Sequence, residues 1–284
     1  MSALALTVSI VPVSPTIGSL SALTFQAMQA VILCGGLGTR LAEETEYRPK
    51  PMVEVGGRPI LWHIMKLYSH YGITDFILCL GYKGDVIRDY FVNYFTMNSD
   101  VKVHIGEERV ELLEPFHDER QWTVLLAETG AESPTGHRIH RIQKYIEGPE
   151  FMLTYGDGLA NINLEDLLAF HRKTGRIATV SGVRPINRFG ELRIVDDAAT
   201  EFREKPQLDQ GWVSGGYFVF RREAFDYITE GSTLEREPLD GLARNKQLAV
   251  YRHTGYWRAM DTLREKRQLD EEWRAGDAPW KVWK

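Results

Sequence analysis

A short apolar run at 30–33 stops in a cluster of three glycines, Gly35, Gly36 and Gly38, and Thr39-Arg40 follows at once. A buried strand opening into a glycine-rich turn lets backbone N–H groups approach a ligand closely, because no Cβ stands in the way. Successive N–H groups in such a turn form an anion cradle. Arg40, together with Lys50 in the Arg48-Pro49-Lys50-Pro51 element, would add full positive charge to it. The expected guest is a nucleoside triphosphate. Glycines that only make a turn are the alternative, and the two nearby cations weigh against it. A dinucleotide fingerprint is excluded because Leu41 stands where close packing wants a small residue. The Walker A spacing is absent.

Beyond the loop, apolar runs alternate with amphipathic stretches. The periodicity predicts helices near 60–70, 85–95, 136–145, 164–173 and 262–275, and strands near 75–80, 101–105, 122–127, 150–155 and 177–183. That order argues for an α/β fold with a doubly wound, mainly parallel, Rossmann-like sheet. From about 187 to 221, short strands separated by turn residues suggest a small antiparallel insert. A charged C-terminal helical region carries an apolar stripe through Leu263, Leu269 and Trp273. Trp273, Trp280 and Trp283 offer too much aromatic surface for a free tail and are expected to pack on the domain or a partner subunit.

Composition narrows the function classes. With 43% apolar residues a full core is available, and a net charge of −5 with dispersed basic residues gives no nucleic-acid footprint. Cys34 and Cys79 each lie in an apolar run, so both read as buried free thiols of a cytoplasmic protein. Residues 1–27 contain no Lys, Arg, Asp or Glu, lack a basic n-region, and are interrupted by Pro12 and Pro15. Neither a secretory signal nor a membrane span fits. They are expected to be a poorly ordered, dispensable extension ahead of one domain at 28–284.

Two carboxylates complete the reading from residues. Asp157, in Tyr155-Gly156-Asp157-Gly158, follows an apolar strand, where open α/β sheets gather ligands. Asp261 lies in Ala259-Met260-Asp261-Thr262. The pair could share one Mg²⁺, which prefers oxygen ligands and keeps waters and phosphate oxygens. Equally, Asp157 could form a turn and Asp261 could cap the helix that follows.

With those elements in view, the sequence resembles the sugar-1-phosphate nucleotidyltransferases across essentially all of 28–283. The matching stretches include GGLGTRL (35–41), RPKPMVEVGGRPILWHIMK (48–66), YGDG (155–158), RFGELRI (188–194), REKP (203–206), GGYFVF (215–220), EPL (237–239) and YWRAMDTLREK (256–266). WHIM, MDTLR and the terminal APWKVW point to the cytidylyl branch. The resemblance implies transfer of CMP from CTP to glucose 1-phosphate, giving CDP-glucose and pyrophosphate, with Mg²⁺ as cofactor and a homo-oligomeric assembly. By motif, Leu33, Gly35, Gly36, Leu37, Gly38, Thr39 and Arg40 would hold the nucleotide with Lys50, Thr135, Arg138 and Gly156. Arg40 and Lys50 would stabilise charge on the departing pyrophosphate. Asp157 and Asp261 would ligate the metal. Gly190, Glu204, Lys205, Ser214, Gly215 and Glu237 would meet the sugar phosphate. No protein nucleophile is required, and Cys34 is given no role.

Three positions depart from the family pattern. Ser214 stands where an asparagine is expected, His137 enlarges the Thr135-Gly136-His137-Arg138 loop, and Leu234 replaces a tryptophan. Ser214 and Leu234 bear on the acceptor, His137 on the nucleotide loop. The same chemistry on another sugar or polyol phosphate therefore stays open, as does a nucleotide-sensing homologue without turnover.

Overall fold

A computed structural model describes Phe25 and residues 28–36, 38–113, 118–185, 191–195, 198–203 and 211–284, without the side chains of Arg40, Ala42, Asp118 and 191–203. A seven-stranded sheet forms its centre. The strands run, edge to edge, Leu248–Arg252, Ala178–Val183, Val213–Arg221, Glu150–Tyr155, Gln29–Leu33, Asp75–Leu80 and Thr123–Glu128. All neighbouring pairs are parallel except the two made by Val213–Arg221, which is antiparallel to both partners.

The central strands are apolar without a break because both of their faces are covered. The pleat sends Ala30 and Ile32 to one side and Val31 and Leu33 to the other, and Phe76 and Leu78 are separated from Ile77 and Cys79 in the same way. On the first side lie the Ile60–His70 and Leu164–Thr174 helices and the C-terminal region. On the second lie the Thr135–Ile142 and Glu237–Arg244 helices. Gly72 and Gly175, both at positive φ, end the first two helices. Asn163 caps the start of the second by accepting from Glu165 and Asp166 N–H.

Two expectations are corrected. Residues 101–105 do not enter the sheet: Val101–His104 pairs with Arg109–Leu112 as a separate, largely exposed hairpin. Alternating Val101 and Val103 imitate a half-buried strand, yet they are 38% and 54% exposed. The antiparallel insert also ends sooner than expected. Glu191–Val195 and Ala198–Arg203 form their own antiparallel pair, whereas Val213–Arg221 crosses into the middle of the main sheet. Its Tyr217, Phe218, Val219 and Phe220 are buried on both faces, so a surface flap could not hold them.

Trp280 and Trp283 are buried and, with Trp273, surround the imidazole of His63. His63 sets its Nε2 2.8 Å from the Val55 carbonyl and accepts from Trp280 Nε1 at 3.4 Å, so the C-terminal aromatics pack on the domain as expected. Phe25, inside the segment read as dispensable, is 2% exposed and belongs to the core. Both thiols are buried and free. Among the described residues, no helix is long and apolar enough to cross a membrane.

Candidate active site

At the carboxyl ends of the parallel strands lies a pocket of about 290 Å³. Its walls are the glycine turn from Leu33 to Gly36, Lys50 with Pro51, Ser133 to Thr135 and Arg138 of the neighbouring helix, Tyr155 to Asp157, and Thr233. Leu33, Gly35, Gly36, Lys50, Thr135, Arg138, Gly156 and Asp157 are thus brought together around one pocket.

Lys50 is the electrostatic centre. Its ammonium lies 2.6 Å from Asp157 Oδ2 and 2.7 Å from Asp261 Oδ1. Burial alone would push its pKa down, but the two carboxylates outweigh that and hold it above the usual lysine value. The aspartates, far apart in sequence, meet because Gly158–Ala160 and Trp257–Ala259 form a short antiparallel ladder. Met260 N–H then donates to the Asp157 carbonyl at 2.9 Å. Asp261 does not cap the following helix. Thr262 does, in a capping box with Glu265.

Arg138 is 3% exposed and spends its guanidinium on neutral acceptors. It donates to the carbonyls of Leu80, Gly35, Gly130 and Ala131 at 3.0, 2.9, 2.7 and 3.2 Å, and to Thr129 Oγ1 at 2.9 Å. Burial lowers its pKa, yet an arginine keeps its charge. The pocket therefore gains a fixed cation that also ties three loops together. Cys34 also lines the pocket, and burial drives its thiol pKa well up, which makes it a poor nucleophile.

Other implied residues fall elsewhere. Gly38, at φ +64°, accepts from Thr45 Oγ1 at 3.1 Å, and Thr39 is exposed. Ser214 Oγ accepts from Gly216 N–H at 3.3 Å, and the Gly215 carbonyl accepts from Trp257 Nε1 at 2.8 Å. Glu237 starts its helix and accepts from Thr233 N–H at 3.4 Å. Leu37, Gly190, Glu204, Lys205 and the Arg40 side chain lie outside the described residues. Glu235 is a site residue without a clear signal in the sequence: its carboxylate receives the hydroxyls of Thr135 and Tyr155.

A model of the nucleotidyl transferase family matches residues 29–261. This chain belongs to the nucleotidyl transferases. Among curated relatives, the glucose-1-phosphate cytidylyltransferases of Salmonella typhi and Salmonella typhimurium are each 48% identical to it over 260 residues, 90% of this chain and 100% of theirs. The structure of HddC from Yersinia pseudotuberculosis complexed with GMP-PN shares the fold at a TM-score of 0.62 and 24% identity, covering 87% of this chain and 99% of that one.

The three departures of this nucleotidyl transferase have different structural meanings. Leu234 is fully buried in the core on the helix 135–142 side, where an apolar side chain is all the site requires. His137 turns its Nδ1 to the Gly231 N–H, 3.1 Å away, and is not part of the pocket lining. Ser214 is exposed near the strand end that leads to Gly215 and Gly216.

Proposed function

We propose that this nucleotidyl transferase moves CMP from CTP to α-D-glucose 1-phosphate, giving CDP-glucose and pyrophosphate. A phosphate oxygen of the sugar phosphate attacks the α-phosphorus as the bond to the β-phosphate breaks and pyrophosphate carries away the electron pair. The observation that carries this reading is Lys50 held between Asp157 and Asp261 at the base of the glycine-turn pocket. The Salmonella relatives support the choice of nucleotide and acceptor.

Little covalent chemistry is asked of the protein, so positioning and charge stabilisation supply most of the rate. Lys50 and Arg40 hold negative charge on the departing pyrophosphate. Gly36 leaves its surroundings open, with nothing within 4 Å of where a Cβ would stand, so the triphosphate can approach the backbone there. Arg138 adds a fixed positive charge to the wall that faces the polyanion. Glu204 and Lys205, with Gly190, Ser214, Gly215 and Glu237, are assigned to the acceptor.

Enzymes of this family generally use a divalent metal ion. Asp157 and Asp261 suit Mg²⁺: they offer hard oxygen donors and already converge on one positive charge, the Lys50 ammonium. Bound there, Mg²⁺ would neutralise charge developing at the α-phosphate. The buried thiols accord with a cytoplasmic setting, and we assign a homo-oligomeric state, to be checked by light scattering.

Pyrophosphate release measured with each of four nucleoside triphosphates against a panel of sugar and polyol phosphates tests the reaction. Release with CTP and glucose 1-phosphate, abolished by EDTA and restored by Mg²⁺, is expected. Faster release with another acceptor would replace the glucose assignment, and none with any pair would leave a nucleotide sensor.

A further inference from the structure

The segment 231–235 runs beside the pocket, to which it contributes Thr233, and polar contacts bind it to the wall formed by the Thr135–Ile142 helix. Gly231 N–H donates to His137 Nδ1 at 3.1 Å, and His137 N–H donates to the Ser232 carbonyl at 3.0 Å. Leu234 N–H donates to Thr135 Oγ1 at 2.9 Å, and Thr135 Oγ1 donates in turn to Glu235 Oε2 at 2.6 Å. The other carboxylate oxygen, Oε1, receives the Tyr155 hydroxyl.

Glu235 is itself exposed. A surface carboxylate is ordinarily solvated, yet both oxygens of this one are taken by hydroxyls of residues that line the pocket. Thr135 has a single hydroxyl proton, and Glu235 takes it. Thr135 therefore shapes the nucleotide wall without a proton left to give a ligand.

Tyr155 faces two ways. It precedes Gly156-Asp157 on the metal side. Its ring also rests against Gly216, where a Cβ would stand 2.7 Å from Tyr155 Cδ2 and where φ is +80°. Gly216 belongs to Val213–Arg221, the strand that carries Ser214 and Gly215, two of the positions assigned to the acceptor. A chain of contacts thus runs from the nucleotide wall at Thr135, through Glu235 and Tyr155, to the acceptor strand at Gly216.

Building on the cytidylyl-transfer reading, we propose that Glu235 is a positioning residue that holds the nucleotide wall and the acceptor strand in one fixed relation. Neither hydroxyl can leave Glu235 without losing a charge-assisted hydrogen bond. In-line transfer between two bound substrates is sensitive to such a relation, because a misplacement of about 1 Å can cost about 10²-fold.

Steady-state kinetics for both substrates, nucleotide affinity by calorimetry with CTP, and thermal unfolding test the proposal on Glu235→Ala, Glu235→Gln, Tyr155→Phe and the Glu235→Ala/Tyr155→Phe double variant. Glu235→Ala is expected to lower kcat/KM about 10- to 100-fold with little change in Tm, and Glu235→Gln to recover part of the loss because its amide oxygen still accepts one hydroxyl. The double variant is expected to be no worse than the poorer single one. Full kcat/KM in Glu235→Ala, or losses that multiply in the double variant, would overturn the proposal. So would a drop in Tm with kcat and KM of the folded fraction unchanged. If Glu235→Ala does not fold, Glu235→Gln against Tyr155→Phe decides by the same criteria. If the wild type itself lacks turnover, the transfer reading fails, and equal CTP affinity of wild type and Glu235→Ala then overturns the positioning role as well.

Discussion

The guanidinium of Arg138 occupies the space that a side chain on Gly35 would need: a Cβ there would stand 2.1 Å from Arg138 Cζ, and the Gly35 carbonyl accepts from the same group at 2.9 Å. Gly35 is therefore a glycine for the sake of a buried cation. Its neighbour Gly36, with open space around it, is the glycine that leaves room for a ligand.

The two positions are expected to separate in experiment. Gly35→Ala forces Arg138 or the loop to move and should cost about 1–3 kcal/mol of stability through overpacking, together with nucleotide affinity. Gly36→Ala should change stability by no more than about 0.5 kcal/mol while still weakening CTP binding. Thermal unfolding and calorimetry on both variants check this, and equal Tm losses would contradict it.

Lys50→Ala removes the cation that keeps two carboxylates together. Stability should fall by about 3 kcal/mol at most, since Asp157 keeps 31% exposure. Mg²⁺ should restore more Tm to this variant than it adds to the wild type, and EDTA should cancel the gain. Turnover should fall about 10²- to 10³-fold. Asp261→Ala is expected to abolish the Mg²⁺ response, which unfolding scans with and without the metal would show.

His63 makes the C-terminal region acid-sensitive. Burial lowers its pKa from 6.5 to about 4; Arg58 acts in the same direction, while the Val55 carbonyl and Asp270 oppose them. The folded value lies below the unfolded one, so the unfolded chain takes up the proton first. The stability this gives is complete above about pH 6.5 and is lost as the pH falls toward 4, on the order of 3 kcal/mol in all. Tryptophan fluorescence and Tm followed across that window should show the loss, and His63→Leu should flatten it.

Phe25 separates a truncation from a substitution. Deleting 1–24 should leave turnover and Tm unchanged, whereas Phe25→Ala should cost about 3–5 kcal/mol as a buried aromatic is lost. Unfolding curves of the two proteins decide it.

Strands 29–33, 75–80 and 150–155 were legible in the sequence because covering both faces of a strand leaves an unbroken apolar run. The carboxylates Asp157 and Asp261 were legible as motifs, and their meeting was implied by resemblance. Val213–Arg221 was not placed correctly, because its Val-Ser-Gly-Gly start has the look of a turn and its partners are distant in sequence. Thr45, His63 and Glu235 act through contacts that no local pattern announces. Arg138 reaches Gly35 across 103 residues and Tyr155 reaches Glu235 across 80, so only the closed fold brings them together.

Among the described residues, the antiparallel strand Val213–Arg221 is also the sole strand that joins two parts of the sheet: Ala178–Val183 and Leu248–Arg252 connect to the other strands of the sheet through it. During synthesis, the first four parallel strands are complete by residue 155, but the remainder cannot dock until residue 221 has emerged. The Asp157–Lys50–Asp261 cluster closes later still, when 257–259 pairs with 158–160. From residue 155 until residue 261, a nascent chain carries the complete set of first parallel strands and no assembled site. Such distant pairings favour slow closure, so the acquisition of function is placed among the last events of folding.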